Sequence, residues 1–284
     1  MTLPPSNCEI STELEIKEQE IEWLLNCVFT EKLKTTSALL RGLTLKYKED
    51  NLWETAELVP VDSNSIGHAS GLLVASKITE LNIYSQKSSA SKTELVNLKF
   101  KDAESYIFPQ LVNLVRNMDA SIKLIEDVTR FISPLVAIEL IKNLKKKLIE
   151  SIELFNSDES TSLQSIIEMD QNLFIGEMKD NRLVDIRIVG CILHINVINI
   201  QPSNTSKISD IFSTLTNSTS SGNTMQVFFS LNDFYIKLYK NDVCKIRYET
   251  NLQARLESIS ESLDMLNLLL ESCEIMLNQI SYLL

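Results

Sequence analysis

The chain has 284 residues, 44% hydrophobic and 23% charged, which is the balance of a globular protein holding one large domain or two modest ones. Its 38 acidic residues against 27 basic give a net charge of −11, so phosphate backbones and anionic lipid headgroups repel it and a general nucleic-acid or membrane-surface role is disfavoured. Six glycines and six prolines favour long regular elements over a loop-rich fold.

The opening "MTLPPSNCEI" carries neither a basic start nor an apolar core, so no signal peptide is expected. No run of about 18 apolar residues occurs anywhere, so no integral membrane segment is expected either. From Ile10 to Leu43 apolar residues keep a helical period through Leu14, Ile21, Leu24, Leu25, Val28, Leu33 and Leu40, with Gly42 as the expected end. Beyond it the period becomes two. "GLLVASKI", "ELNIYS" and "ELVNLKF" read as short strands between Ser/Lys-rich turns.

Asp102 is a candidate cap for a second helix with Ile107, Leu111, Leu114, Met118, Ile122 and Ile125 on one face. Pro109 must then sit in or near its first turn, since an interior proline would kink it. Ser133–Pro134 predicts the start of a third helix, presenting Leu135, Ile138, Ile141, Leu144, Leu148, Ile152 and Phe155. Its "KNLKKK" run, Lys142 to Lys147, reads as a solvated helix face or as the answer to the acidic helices. Residues 156–170 lose the pattern and read as a linker.

Strand character returns in "RLVDIRIVGCILHINVINI", with Val184, Ile186 and Ile188 on one face, a turn near Gly190, then Leu193, Ile195 and Val197. Residues 201–224 read as a flexible polar loop, in which the sequons at Asn204 and Asn217 carry no weight. "FYIKLYKNDVCKIRY" is a hairpin signal, with Tyr235 and Tyr239 facing outward.

The last stretch, "NLQARLESISESLDMLNLLLESCEIMLNQISYLL", places Leu252, Ile259, Leu266, Cys273 and Ile280 seven apart. Leu256, Leu263, Leu270, Leu277 and Leu284 interleave with them. That is a leucine-zipper-like heptad seam. Burying one Leu or Ile is worth roughly 1.5–3 kcal/mol, so these side chains must be covered. Three other helices of the chain carry matching stripes, so the seam is expected to build the fold, with partners using other surfaces.

These elements predict an elongated α+β protein: an antiparallel bundle of four long helices joined to a mainly antiparallel β-sheet domain. The helical domain is expected at 9–49, 103–157 and 250–284, and the β domain at 50–102 and 170–249.

Chemistry finds little to work with. Cys8, Cys27, Cys191, Cys244 and Cys273 form no CxxC pair and read as buried thiols in a reducing, cytoplasmic setting. Of the two histidines, His68 beside Gly67 reads as a loop or strand-edge residue and His194 as one position of an alternating strand. No nucleophile elbow, P-loop, dinucleotide fingerprint or zinc-protease string occurs. No enzyme, no cofactor and no metal is expected.

Several stretches resemble the Rogdi family, which includes the small subunit of the RAVE complex. "EQEIEWLLNCVFTEKLKTTSALL" is similar to that family's opening helix, with Trp23-Leu24-Leu25 after an acidic run. "GLLVASKITELNIYSQK", "LVNLKFKDAESYIFPQLVNLVRNMDASIKLI" and "LVDIRIVGCILHINVINI" resemble later segments in the same order. Pro109 and the polar loop before Phe228 depart from the pattern.

The resemblance implies a non-catalytic adaptor that promotes assembly of the vacuolar proton ATPase. It implies a large WD-repeat scaffold subunit, a Skp-type subunit and the ATPase's peripheral sector as partners, with recruitment to vacuolar or endosomal membranes. A monomer outside the complex is compatible with it. Trp53, Tyr235 and Tyr239 are candidate partner contacts, because exposed aromatic side chains anchor interfaces. The rival reading is a coiled-coil tether or vesicle-trafficking adaptor whose zipper pairs with a partner helix.

Overall fold

A computed structural model describes residues 7–48, 52–61, 66–89, 92–101, 104–128, 133–156, 173–176, 182–202, 235–239 and 242–283. Residue contacts divide the chain into two compact units. One runs to Leu52 and adds Phe108–Asn156 and the chain from Glu257 onward. The other takes Trp53–Ile107 and the chain ending at Leu256.

The first unit is helical. It contains α1 (Asn7–Trp23), a π-helical segment (Leu24–Phe29), α2 (Thr30–Lys48), α3 (Pro109–Glu126), α4 (Pro134–Asn156) and α5 (Glu257–Leu283). Gly42 does not end its helix. Glycine in a helix interior costs about 1 kcal/mol relative to alanine, and burial of Leu43, Thr44 and Tyr47 beyond it outweighs that. Pro109 is the first residue of α3, where its missing N–H breaks nothing. Leu111, Leu114, Met118, Ile122 and Ile125 then form the buried face of α3.

Ile107 falls outside that helix. It is exposed in a two-residue strand. Ser133 precedes α4 and its hydroxyl accepts the Val136 N–H at 3.5 Å. The face α4 buries is Ala137, Leu140, Ile141, Leu144, Leu148, Ser151 and Phe155, leaving Leu135 exposed and Ile138 and Ile152 half-buried.

The α+β class holds, but the expected antiparallel bundle of four long helices is not what forms. The N-terminal stretch is three helical segments, not one. Helix α2 packs on α3, α3 on α4 and α4 on α5, but α2 and α5 hardly approach along their backbones. The physical reason lies in the side chains that meet there. Lys32, Lys46 and Tyr47 reach Gln279, Ser258 and Ser262 by hydrogen bonds, where a closed bundle needs interdigitated leucines.

The second unit is a sheet. Its described strands are β1 (Trp53–Pro60), β2 (Ile66–Val74), β3 (Lys77–Ser89), β4 (Lys92–Phe100), β5 (Tyr106–Ile107), β6 (Phe174–Gly176), β7 (Arg182–Val189), β8 (Ile192–Pro202), β9 (Tyr235–Tyr239) and β10 (Asp242–Arg255). Eight lie in the order β6-β4-β3-β2-β1-β10-β8-β7, while β5 pairs with β3 and β9 with β10. Every pairing is antiparallel. The path curls into a half-barrel. Val184, Ile186 and Ile188 alternate inward and meet Val197, Ile195 and Leu193 across the ladder.

Gly190 makes the β7–β8 turn at φ +59°, a region glycine enters without strain. The β2–β3 turn uses Ala75 at φ 52°, so "GLLVASKI" is a hairpin corner and not a single strand. Domain edges shift accordingly. Residues 250–255 belong to β10 and not to the last helix, and Tyr106–Ile107 belong to the sheet. The expected cap Asp102, the 156–170 linker apart from Asn156, and the 201–224 loop beyond Pro202 lie outside the described residues.

Two glycine substitutions are expected to act in opposite directions. A Cβ at the exposed Gly42 meets nothing within 4 Å, so Gly42→Ala should raise stability by about 0.5–1 kcal/mol. A Cβ at Gly71 meets Ile78 Cδ1 at 2.7 Å. Ile78 is fully buried and cannot swing clear, so Gly71→Ala should cost about 1–3 kcal/mol. Urea denaturation of both variants checks the pair.

Candidate functional site

Helices α2 and α5 run antiparallel and are tied at two places. The Tyr47 hydroxyl is 3.1 Å from the Ser258 carbonyl and 2.8 Å from the Ser262 hydroxyl. Lys46 Nζ donates to the Ser258 carbonyl at 2.8 Å and pairs with Glu261 at 3.3 Å. Toward the other end, Lys32 Nζ reaches Gln279 Oε1 at 3.4 Å.

Along this seam the helices leave a groove of about 520 Å³. Val28, Thr35, Thr36 and Leu39 line one wall, Met265, Leu268, Leu269 and Ser272 the other, with Glu31 and Lys32 also contributing. The hydroxyls of Thr35 and Thr36 donate to the carbonyls of Glu31 and Lys32, four residues back. Their hydrogen-bonding needs are met inside the helix, so the groove is more apolar than its residue list suggests. Leu268 is 61% exposed. Ile275 and Tyr282 follow it at intervals of seven and are also exposed, at 45% and 95%. Polar Glu271, Ser272, Asn278 and Gln279 lie between them on the same side, so the exposed apolar side chains recur once per two turns.

The heptad seam is rotated from its expected position. On α5 the buried line is Ile259, Ser262, Leu266, Leu269, Cys273, Met276 and Ile280. Leu263, Leu270 and Leu277 are half-buried flanking residues. Leu252 is buried in β10, and Leu256 precedes α5, its N–H donating to the Cys191 carbonyl at 2.8 Å. Leu284 lies outside the described residues. Counting leucines missed Ser262, whose hydroxyl donates to the Ser258 carbonyl four residues back at 2.7 Å and also meets the Tyr47 hydroxyl, so it can be buried. A signal for the groove was present: Leu268, Ile275 and Tyr282 keep heptad spacing off the seam.

The three expected contact aromatics lie on two strands, and the side chains of Tyr235 and Tyr239 are outside the described ones. Trp53 is 66% exposed at the start of β1, and β1 pairs with β10 at its far end, Val59–Pro60 opposite Gln253–Leu252. Tyr235 and Tyr239 sit in β9 opposite Ile246 and Asp242, near the beginning of β10. The histidines are also apart. His68 stacks on Tyr84 across the β2–β3 ladder with ring centroids 5.2 Å apart. His194 is on β8, with β1 and β10 intervening.

A polar row crosses β7, β8 and β10 at Asp185, Asn196 and Asn251. Asp185 is buried and 3.7 Å from Arg187 Nε. Burial, and secondarily the Asp185 charge, push the Tyr106 phenol upward. Among the described residues no group of three His, Cys, Asp or Glu is placed to hold a metal ion. No described helix is long and apolar enough to cross a membrane. No protein-family model matches the sequence, and no curated protein matches it.

The thiols differ in environment. Cys27 is exposed, whereas Cys273 is fully buried on α5. Burial pushes the Cys273 thiol up to about 12, with Lys145 lowering it and Glu274 raising it to smaller extents. An aromatic disulfide reagent at about pH 8 should label Cys27 promptly and Cys273 only after unfolding, as peptide mapping will show. The unfolded thiol ionises near 8.5 while the folded one stays neutral, so the contribution to stability is complete below about 8.5 and declines as pH rises above it. Cys273→Ala should flatten that decline.

Proposed function

We propose that this protein is a non-catalytic adaptor, the small subunit of a RAVE-type complex that promotes assembly or reassembly of the vacuolar proton ATPase. The observation that carries the adaptor role is the apolar groove on the helical unit, continued by Leu268, Ile275 and Tyr282. Fully covering one such side chain is worth roughly 1.5–3 kcal/mol, and a single partner can cover several at once. The RAVE assignment draws on the ordered resemblance of four sequence stretches, from Glu18 to Ile200, to the Rogdi family.

On this reading the protein is cytoplasmic and binds a large WD-repeat scaffold subunit and a Skp-type subunit. It reaches vacuolar or endosomal membranes peripherally, through the ATPase's peripheral sector. The net charge of −11 supports recruitment by protein contacts over direct adhesion to anionic lipid.

Affinity purification of the tagged full chain from its native cells, followed by identification of co-purifying proteins, tests it. The expected result is recovery of a WD-repeat scaffold together with peripheral proton-ATPase subunits. Recovery of trafficking coats or helical tethers without them overturns the assignment in favour of a coiled-coil tether.

A further inference from the structure

We propose that the groove and the stripe leading from it along α5 dock a basic amphipathic helix of a partner protein, an inference that rests on the adaptor reading. Leu268, Ile275 and Tyr282 recur every seven residues on the exposed side of α5. Fourteen residues of helix extend about 21 Å, which suits a partner helix of about four turns. A seven-residue apolar spacing supplies one of the two apolar positions per heptad that a helix lying alongside reads, with Glu271 or Ser272 and Asn278 or Gln279 at the other.

Charge selects the occupant. Helix α5 carries Glu257, Glu261, Asp264, Glu271 and Glu274 and no lysine or arginine. Glu261 is neutralised by Lys46 and Glu274 by Lys145. Asp264 and Glu271 are exposed one turn to either side of Leu268, and among the described residues neither is in an ion pair. A second copy of the chain would set this acidic helix against itself. The chain's own 157–172 segment has four acids and no basic residue, and 203–234 has two acids and one lysine, so neither complements the site. A helix with leucines on one face and lysines or arginines beside them matches both the apolar stripe and its flanking carboxylates.

The test uses the full chain and two fluorescent peptides of about 18 residues sharing a leucine heptad seam, one flanked by Lys and Arg and its twin by Glu. Anisotropy should show the basic peptide binding at least about tenfold more tightly, weakening as NaCl rises from about 0.05 to 0.3 M. Leu268→Ser with Ile275→Ser should weaken binding about tenfold with an unchanged melting temperature, both side chains being exposed. Asp264→Lys with Glu271→Lys should reverse the peptide preference.

Equal binding of the twins, binding of neither, or indifference to the Leu268 and Ile275 substitutions overturns the proposal. So does self-association on sedimentation that the same substitutions abolish. In the purification, scaffold recovered equally by wild-type and Leu268→Ser/Ile275→Ser protein removes the groove and leaves the adaptor reading intact. Peptide binding without any recovered assembly subunits removes the RAVE assignment and leaves the groove.

Discussion

The buried hydroxyl of Tyr47, between the Ser258 carbonyl and the Ser262 hydroxyl, fixes how the last helix sits against the first helical stretch. A buried hydroxyl without a partner costs about 1–3 kcal/mol, so Tyr47 favours rotations of α5 that bring the Ser258 carbonyl and the Ser262 hydroxyl to it. The rest of α5 follows from 100° per residue. Leu269 and Met276 lie seven and fourteen residues beyond Ser262 and return to the inner face, where both are buried. Leu268, Ile275 and Tyr282 fall about 200–240° away and are exposed. This polar contact between residues more than two hundred positions apart thus acts together with apolar burial to set which side chains of α5 build the core and which face outward.

The same contact explains where sequence reasoning stopped. Heptad counting found the right helix and four of its buried positions, Ile259, Leu266, Cys273 and Ile280. It chose Leu263, Leu270 and Leu277 over Ser262, Leu269 and Met276, because a serine whose hydroxyl is satisfied by its own helix and by a distant tyrosine looks like a surface residue. Extending the seam back to Leu252 failed for a different reason. A spacing of four keeps two side chains on one face of a helix and also on one face of a strand. Leu252 and Leu256 therefore fit either period, and β10 claims the first of them.

Where backbone chemistry is local, the sequence was legible. Proline at the first position of α3, serine and proline opening α4, and glycine at the β7–β8 turn each act within a few residues. The alternation of Val184, Ile186 and Ile188 identified the inner face of β7. Ala75 gave no warning, since its residue type rarely adopts φ 52° and the surrounding ladder imposes it. Face alternation says nothing about position along a strand, and β1 and β9 meet β10 toward different ends.

Electrostatics then gives the exposed side of α5 its direction. Lys46 and Lys145 engage Glu261 and Glu274 at 3.3 and 2.8 Å, whereas Lys146 and Lys147 turn to Glu150 within their own helix. Such partly exposed pairs contribute at most about 1 kcal/mol each, so they do not account for the packing of α5. What they do is cancel acid on the side that meets α2 and α4. Asp264 and Glu271 keep their charge on the side that carries Leu268. The helix is thereby neutralised toward its own fold and left both acidic and apolar toward whatever covers it, a combination that repels a like copy and matches a basic helix.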